Sequence, residues 1–176
     1  MSLAALGTES EEMNAMVAYF EFISKDFKSE KDISWRLKNE MKEVPEPDVT
    51  NGSELFVKKN CISCHATDGS GTGFSTGPAL WGEGSFNEAA GRTRLSKTAG
   101  FIQNNMPKGQ GGTLTDQEAA DLAAFLLSHE RPIPDTDVVG DYHKDPDRDY
   151  MTEERRKKVR NKTFDWSELD SVVPRD

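Results

Sequence analysis

Long apolar runs are missing from this 176-residue chain. No stretch approaches the ~20 consecutive apolar residues that a membrane-spanning helix requires. Apolar residues are scarce altogether, at 35% beside 30% charged, where compact domains usually reach ~45–50% with glycine counted. That shortage argues against one large core built of side chains and for a small domain with substantial extensions. An excess of positive charge is also missing. Twenty-two Lys and Arg against 31 Asp and Glu leave a net charge of −9, so nucleic acid and anionic membrane surfaces are poor partners. A partner with a positive contact face is the easier match. Cysteine is limited to two residues, both within five positions, which leaves no disulfide framework. Alternating strand patterns are absent, and the expected fold class is all-α.

The two cysteines stand in Cys61-Ile62-Ser63-Cys64-His65, the C-x-x-C-H attachment signature of a c-type haem. Two thiols three positions apart can each add to one vinyl group of the porphyrin. The adjacent imidazole of His65 then lies under the iron as its proximal ligand. A thioredoxin-like pair would need a βαβ setting, which the pattern does not offer. A zinc site would need a fourth ligand from His129 or His143, neither at a familiar spacing. The expected cofactor is therefore one covalently attached haem c, which would itself fill interior space that side chains otherwise occupy.

For the second axial position the candidate is Met106, in Asn104-Asn105-Met106-Pro107 between a short helical segment and a glycine-rich loop. The following proline stiffens the loop that carries the thioether, and a soft sulfur ligand favours ferrous iron. Met13 and Met16 fall on a helix face, Met41 in a charged linker and Met151 in the polar tail. His129 and His143 are the rivals, the first better suited to capping a helix end and the second to solvent. Asp145, Asp147 and Asp149 imitate the start of a calcium loop. Tyr150 in place of the glycine and Arg156 in place of the final glutamate exclude that reading. The Pro78 carbonyl can accept the Nδ1–H of His65. Trp81, Arg92 and Arg94 are candidate partners of the haem propionates, with surface placement of either arginine the competing reading. Phe56 and Phe125 read as packing between helices.

Composition divides the chain into three. Residues 1–49 comprise a helix from about Ser10 to Phe27, marked by Met13, Met16, Val17, Phe20 and Ile23 at three- and four-residue steps. A charged linker follows, anchored by Ile33, Trp35 and Leu37 and ending in Val44-Pro45-Glu46-Pro47-Asp48. Residues 50–131 hold the haem motif. Helices are expected at 52–60, around 86–92 and 96–104, and after the capping box Thr115-Asp116-Gln117-Glu118. Residues 132–176 form a polar extension, with an exposed helix at 152–162 and Phe164, Trp166, Leu169, Val172 and Val173 available to pin it. One internal echo stands out: Glu12–Phe20 aligns without gaps to Glu118–Leu126, an offset of 106 residues, against the alternative of coincidence between two Ala-rich helices.

With the C-x-x-C-H motif, Gly77-Pro78-Ala79-Leu80-Trp81-Gly82, Asn105-Met106-Pro107 and the closing helix in order, residues 50–131 resemble a class I cytochrome c domain. Trp81-Gly82, Ser85-Phe86-Asn87 and Phe101-Ile102-Gln103-Asn104-Asn105-Met106-Pro107 further resemble the second haem domain of dihaem thiosulfate dehydrogenases. Asn14–Phe20 is similar to the closing helix of their first domain. The resemblance implies a class I cytochrome c fold with an N-terminal helical extension and a polar C-terminal one. It also implies a periplasmic or extracytoplasmic location, although Met1–Gly7 has neither the basic nor the apolar region of an export signal; the terminus reads as trimmed. Such enzymes use a cysteine-ligated haem for catalysis, and no third cysteine is present here. Two functions follow. One is an electron relay at His65 and Met106, served by a redox partner protein or a preceding haem domain. The other is an enzyme acting on a sulfur oxyanion at this haem, with Met106 displaceable and Arg92, Arg94 or Lys108 holding the anion. A homodimer through the N-terminal helix is a third use of the extensions.

Overall fold

The computed structural model describes residues 10–25, 39–135 and 148–175. Phe27, Ile33, Trp35, Leu37, His143, Asp145 and Asp147, all named above, lie outside the described residues. The chain divides into two compact units, Met1–Arg36 and Leu37–Asp176. The first contains α1 (Glu11–Ser24), capped by Ser10, whose hydroxyl accepts from Met13 N at 3.2 Å, with Glu11 and Glu12 in the first turn. None of its residues is buried, and Met16, Val17, Tyr19, Phe20, Phe22 and Ile23 are all exposed.

The second unit is helical. In order it runs β1 (Val44–Pro45), α2 (Val49–Lys58), α3 (Ile62–His65), a 3-10 turn at Gly91–Thr93, α4 (Leu95–Asn105) and α5 (Asp116–Leu127). It closes with α6 (Glu153–Arg160), a 3-10 turn at Trp166–Glu168 and β2 (Val172–Val173). The starts of α2, α5 and α6 have local causes. Asp48 caps α2 by accepting from Thr50 N and Asn51 N. Thr115 and Glu118 complete the reciprocal capping box of α5. Thr152 caps α6, whose glutamates lead and basic residues follow, in keeping with the macrodipole.

The core lies where α2 and α4 meet α5. Leu55 and Phe56 come from α2, Leu95, Ala99 and Ile102 from α4, and Ala119, Leu122, Ala123, Leu126 and Leu127 from α5. Gly52 permits the closest approach: a Cβ there would fall 2.1 Å from Asp121 O and 2.8 Å from Phe125 Cβ. Alanine-rich α5 answers with small residues of its own, so the two backbones can cross.

Composition misleads at both flanks of this core. Met41 and Val44, in the stretch that reads as a linker, are buried in it. Val44 and Pro45 pair in parallel with Val172 and Val173, through Val44 N to Ser171 O at 2.7 Å and Glu46 N to Val173 O at 2.8 Å. These two short strands are the exception to an otherwise all-α fold. Met151 and Leu169 are likewise core residues. The helix at 153–160 is not exposed on every face, because Val159 and Arg156 turn inward. Arg156 is 0% exposed and its guanidinium donates to Glu88 at 2.5 Å and to Met151 O at 2.8 Å. A segment of mean polar character can bury only a few residues, and averaging over its charges hides them. Residues 86–90 are not helical; only Gly91–Thr93 makes a single 3-10 turn.

Candidate functional site

The C-x-x-C-H segment forms a turn of its own at the end of α2. Lys59 N closes on Leu55 O, Asn60 takes a positive φ of 59°, and Cys61 N bonds Phe56 O at 3.0 Å, so the chain re-enters a helical turn at Ile62–His65. Cys61 is half-buried and Cys64 exposed. Burial pushes the Cys61 thiol up from its ordinary value. The His65 ring has its Nδ1 2.9 Å from Pro78 O. A carbonyl can only accept, so Nδ1 carries the proton and the lone pair resides on Nε2, the nitrogen left for a metal.

The loop between His65 and Trp81 is packed backbone on backbone, which explains its glycines. Gly71 N bonds His65 O at 3.0 Å, and Thr72 Oγ1 donates to Cys64 O at 2.7 Å. A Cβ at Gly77 would fall 2.0 Å from that same Cys64 O. A Cβ at Gly69 would strike the Trp81 ring at 2.1 Å. Residues 69–82 contain no charged side chain, and Phe74 at the loop's tip is 94% exposed. The one charged side chain between His65 and Trp81 is exposed Asp68, which accepts from Ser70 N at 3.0 Å and Ser70 Oγ at 2.6 Å.

Met106 stands at the C-terminal cap of α4, where its N–H donates to Ile102 O at 2.9 Å. It is half-buried and packs against the core with Ile62, Leu80, Trp81 and Phe86. Met41 and Met151 are core residues, and Met13 and Met16 belong to the other unit. Of the three methionines of the second unit, Met106 is the one that is not buried.

Trp81 does not stand alone beside the loop. His129 stacks on it at 4.1 Å between ring centroids and 17° between planes, and Phe56 and Phe125 close round the pair at 5.5 Å and 5.6 Å from the indole. His129 Nδ1 lies 2.8 Å from Phe125 O. Burial, with Arg131 and Arg160 nearby, holds its pKa below the usual histidine value, so at neutral pH the ring is an uncharged stacking partner rather than a cation on the helix dipole. Phe125, four residues before His129, meets the imidazole edge-on at 4.8 Å between centroids, the one contact of this group that sequence spacing could have shown.

The two arginines differ. Arg92 lies with its guanidinium carbon 3.9 Å above the Phe101 ring and donates to Lys97 O at 3.1 Å. Arg94 donates through Nε to buried Asp149 at 2.7 Å and faces Glu40 at 3.7 Å, so its charge is already balanced by two carboxylates. Asp149 was not legible as a partner, because nothing local to it marks a site. Lys108 is exposed.

The donor set fits a c-type haem on its chemistry: two thiols on one turn, an imidazole whose Nδ1 is tied, and a thioether at a helix end beside half-buried apolar side chains. Comparison with known proteins agrees. Residues 49–130 match the family model described as Cytochrome c. Residues 49–130 are a cytochrome c domain. The thiosulfate dehydrogenase of Psychrobacter arcticus is 41% identical over 135 residues, 73% of this chain and 40% of that protein. That of Allochromatium vinosum is 46% identical over 92 residues, 50% of this chain and 34% of that protein. Among solved structures, the thiosulfate dehydrogenase TsdBA from Marichromatium purpuratum superposes with a TM-score of 0.54 and 26% identity over 80% of this chain and 32% of its own. The chain thus spans about two fifths or less of the length of these relatives. With a cytochrome c domain at residues 49–130, it is a haem protein of electron transfer whose cofactor is covalently bound haem c.

Proposed function

We propose that this chain relays single electrons through one haem c ligated by His65 and Met106, and that it does so for a haem domain oxidising thiosulfate or reducing tetrathionate. When bound, the haem supplies reversible one-electron Fe(III)/Fe(II) chemistry. The protein's part is to hold it. Cys61 and Cys64 tether the macrocycle. His65 presents Nε2, and its Nδ1–H on Pro78 makes the imidazole a stronger donor. Met106 would supply the second ligand, which would leave no position for a substrate.

The observation that carries this reading is the 2.9 Å contact between His65 Nδ1 and Pro78 O, which fixes the tautomer a haem ligand needs. Supporting it is the uncharged loop of residues 69–82 beside exposed Cys64, where an edge can meet a redox partner without an electrostatic barrier of its own. Of Arg92 and Arg94, it is Arg92, lying on the Phe101 ring and bonded to Lys97 O, that would face a propionate; Arg94 serves the joint with Asp149. In this reading α1 is the closing helix of a preceding haem domain. Its echo of α5 and its exposed Tyr19 and Phe20, aligned with Phe125 and Leu126, support that role. The location is periplasmic or extracytoplasmic.

Mixing the haem-loaded chain with thiosulfate and an artificial electron acceptor tests relay against enzyme. The relay predicts no turnover by this chain alone, together with reversible one-electron reduction. Sustained tetrathionate formation would show a sulfur oxyanion reacting at this haem and would overturn the proposal.

A further inference from the structure

Helix α4 carries Met106 at one end, yet at the other it lacks a cap of its own. Arg94 occupies the N-cap position with no side-chain bond to the helix, and the first turn contains no acid. The missing group comes from 53 residues further along the chain. Asp149, 0% exposed, accepts from Ser96 N at 2.5 Å through Oδ2 and from Arg94 Nε at 2.7 Å through Oδ1. Its backbone carbonyl accepts from Leu95 N at 2.9 Å, and Met151 N donates to Thr93 O at 2.9 Å. Ser171 Oγ holds the same Oδ2 at 3.0 Å.

The rest of the helix's first half is clamped from a second side. Met41 N bonds Ser96 O at 3.0 Å, Lys97 reaches Glu40 at 2.5 Å, and a Cβ on Gly100 would fall 2.6 Å from Glu40 N. The second half is tied to other groups: Gly112 N bonds Gln103 O at 2.7 Å, the Gln103 amide donates to Asp116, and Asn105 Nδ2 donates to Asn39 Oδ1 at 2.7 Å. Met106 itself bonds Ile102 O through its N–H at 2.9 Å. An 11-residue α-helix is a rod of about 16 Å, so where its start is held decides where its end presents a side chain.

We infer that Asp149 is a positioning residue for Met106: it caps α4 in trans and thereby sets the placement of the thioether at the other end of the rod. The inference rests on the reading of Met106 as an axial ligand. The C-terminal segment thus becomes part of the haem site without touching it.

The test uses the ferric holoprotein. The long-wavelength sulfur-to-iron charge-transfer band is titrated with rising pH until the thioether is displaced, and unfolding temperature is measured in parallel. Asp149→Asn keeps the shape and can leave an oxygen on Ser96 N but removes the charge that Arg94 Nε meets, and is expected to favour displacement about tenfold, the size of one charge-assisted hydrogen bond, moving the titration down by about one pH unit. Ser171→Ala, a milder loss on the same carboxylate, shifts it in the same direction by less and serves if Asp149→Asn does not fold. Val159→Ala, a buried change on α6, lowers the unfolding temperature and leaves the titration in place. The inference is overturned if Asp149→Asn and Ser171→Ala leave the titration unmoved, or if all three variants shift it in proportion to lost stability. A wild type without the band is a distinguishable result that removes the Met106 reading itself.

Discussion

Replacing Gly77 by alanine should disturb the haem site at a distance that the structure defines. The new Cβ would lie 2.0 Å from Cys64 O, 2.4 Å from Cys64 C and 2.9 Å from Cys64 Cβ. Backbone atoms of the C-x-x-C-H turn cannot swing aside like the end of a side chain, so the loop must retreat by about 1 Å or more to reach van der Waals distance. Pro78 is the next residue, and its carbonyl is 2.9 Å from His65 Nδ1; a retreat of that size stretches the contact beyond a hydrogen bond. Overpacking of this kind costs about 1–3 kcal/mol and the lost hydrogen bond about 0.5–1.5 kcal/mol more, together about 2–4 kcal/mol. For a chain of this length that is a fall of about 4–16 °C in the unfolding temperature of the holoprotein. His65 would also become a weaker donor, so ferric iron is stabilised less and the midpoint potential rises. Gly91→Ala is the matched control, since a Cβ there meets nothing within 4 Å. Thermal unfolding and a redox titration of both variants decide the matter. Gly77→Ala within about 2 °C of the control, with an unshifted potential, would refute the reasoning.

Two further outcomes follow from buried charge. Glu88→Gln removes the charge of the carboxylate 2.5 Å from buried Arg156, leaving it only Glu130 at 3.7 Å as an ion-pair partner among the described contacts; beside it stands Arg131, whose pKa burial and Arg156 pull down to about 10. Breaking such a pair from one side costs about 3–5 kcal/mol, measurable by denaturant unfolding; a change below about 1 kcal/mol would show the pair to be relaxed by solvent. His129, buried in its stack, has a depressed pKa, so below about pH 6.5 the unfolded chain takes up a proton that the folded chain resists, and stability falls as pH drops through that region. His129→Gln should flatten this slope below about pH 6.5 in pH-resolved unfolding; an unchanged slope would place the titration elsewhere.

The core of the domain was legible because its signals are local. The capping box at Thr115, the glycine-proline turn at Gly77 and the C-x-x-C-H spacing each act within a few residues, and periodicity placed α1, α2, α4 and α5 to within a turn. What composition could not show was the fate of charged segments. Met41, Val44, Met151 and Leu169 are single apolar residues scattered among acids and bases, and their burial follows from a pairing of β1 with β2 across 128 residues. The site divides in the same way. The candidate ligands Cys61, Cys64, His65 and Met106 stand in short motifs, whereas the Asp149 contacts and the His129–Trp81 stack exist only because the fold brings distant elements together. The distinction between Arg92 and Arg94 likewise depends on a carboxylate more than fifty residues away.

The central claim is a haem closed by Met106, and the ferric absorption spectrum of the holoprotein tests it most directly. A low-spin spectrum with the long-wavelength sulfur-to-iron band in the wild type, lost in Met106→Ala with a fall in midpoint potential, is the predicted result. A high-spin resting spectrum, or a band that survives Met106→Ala, would contradict the account.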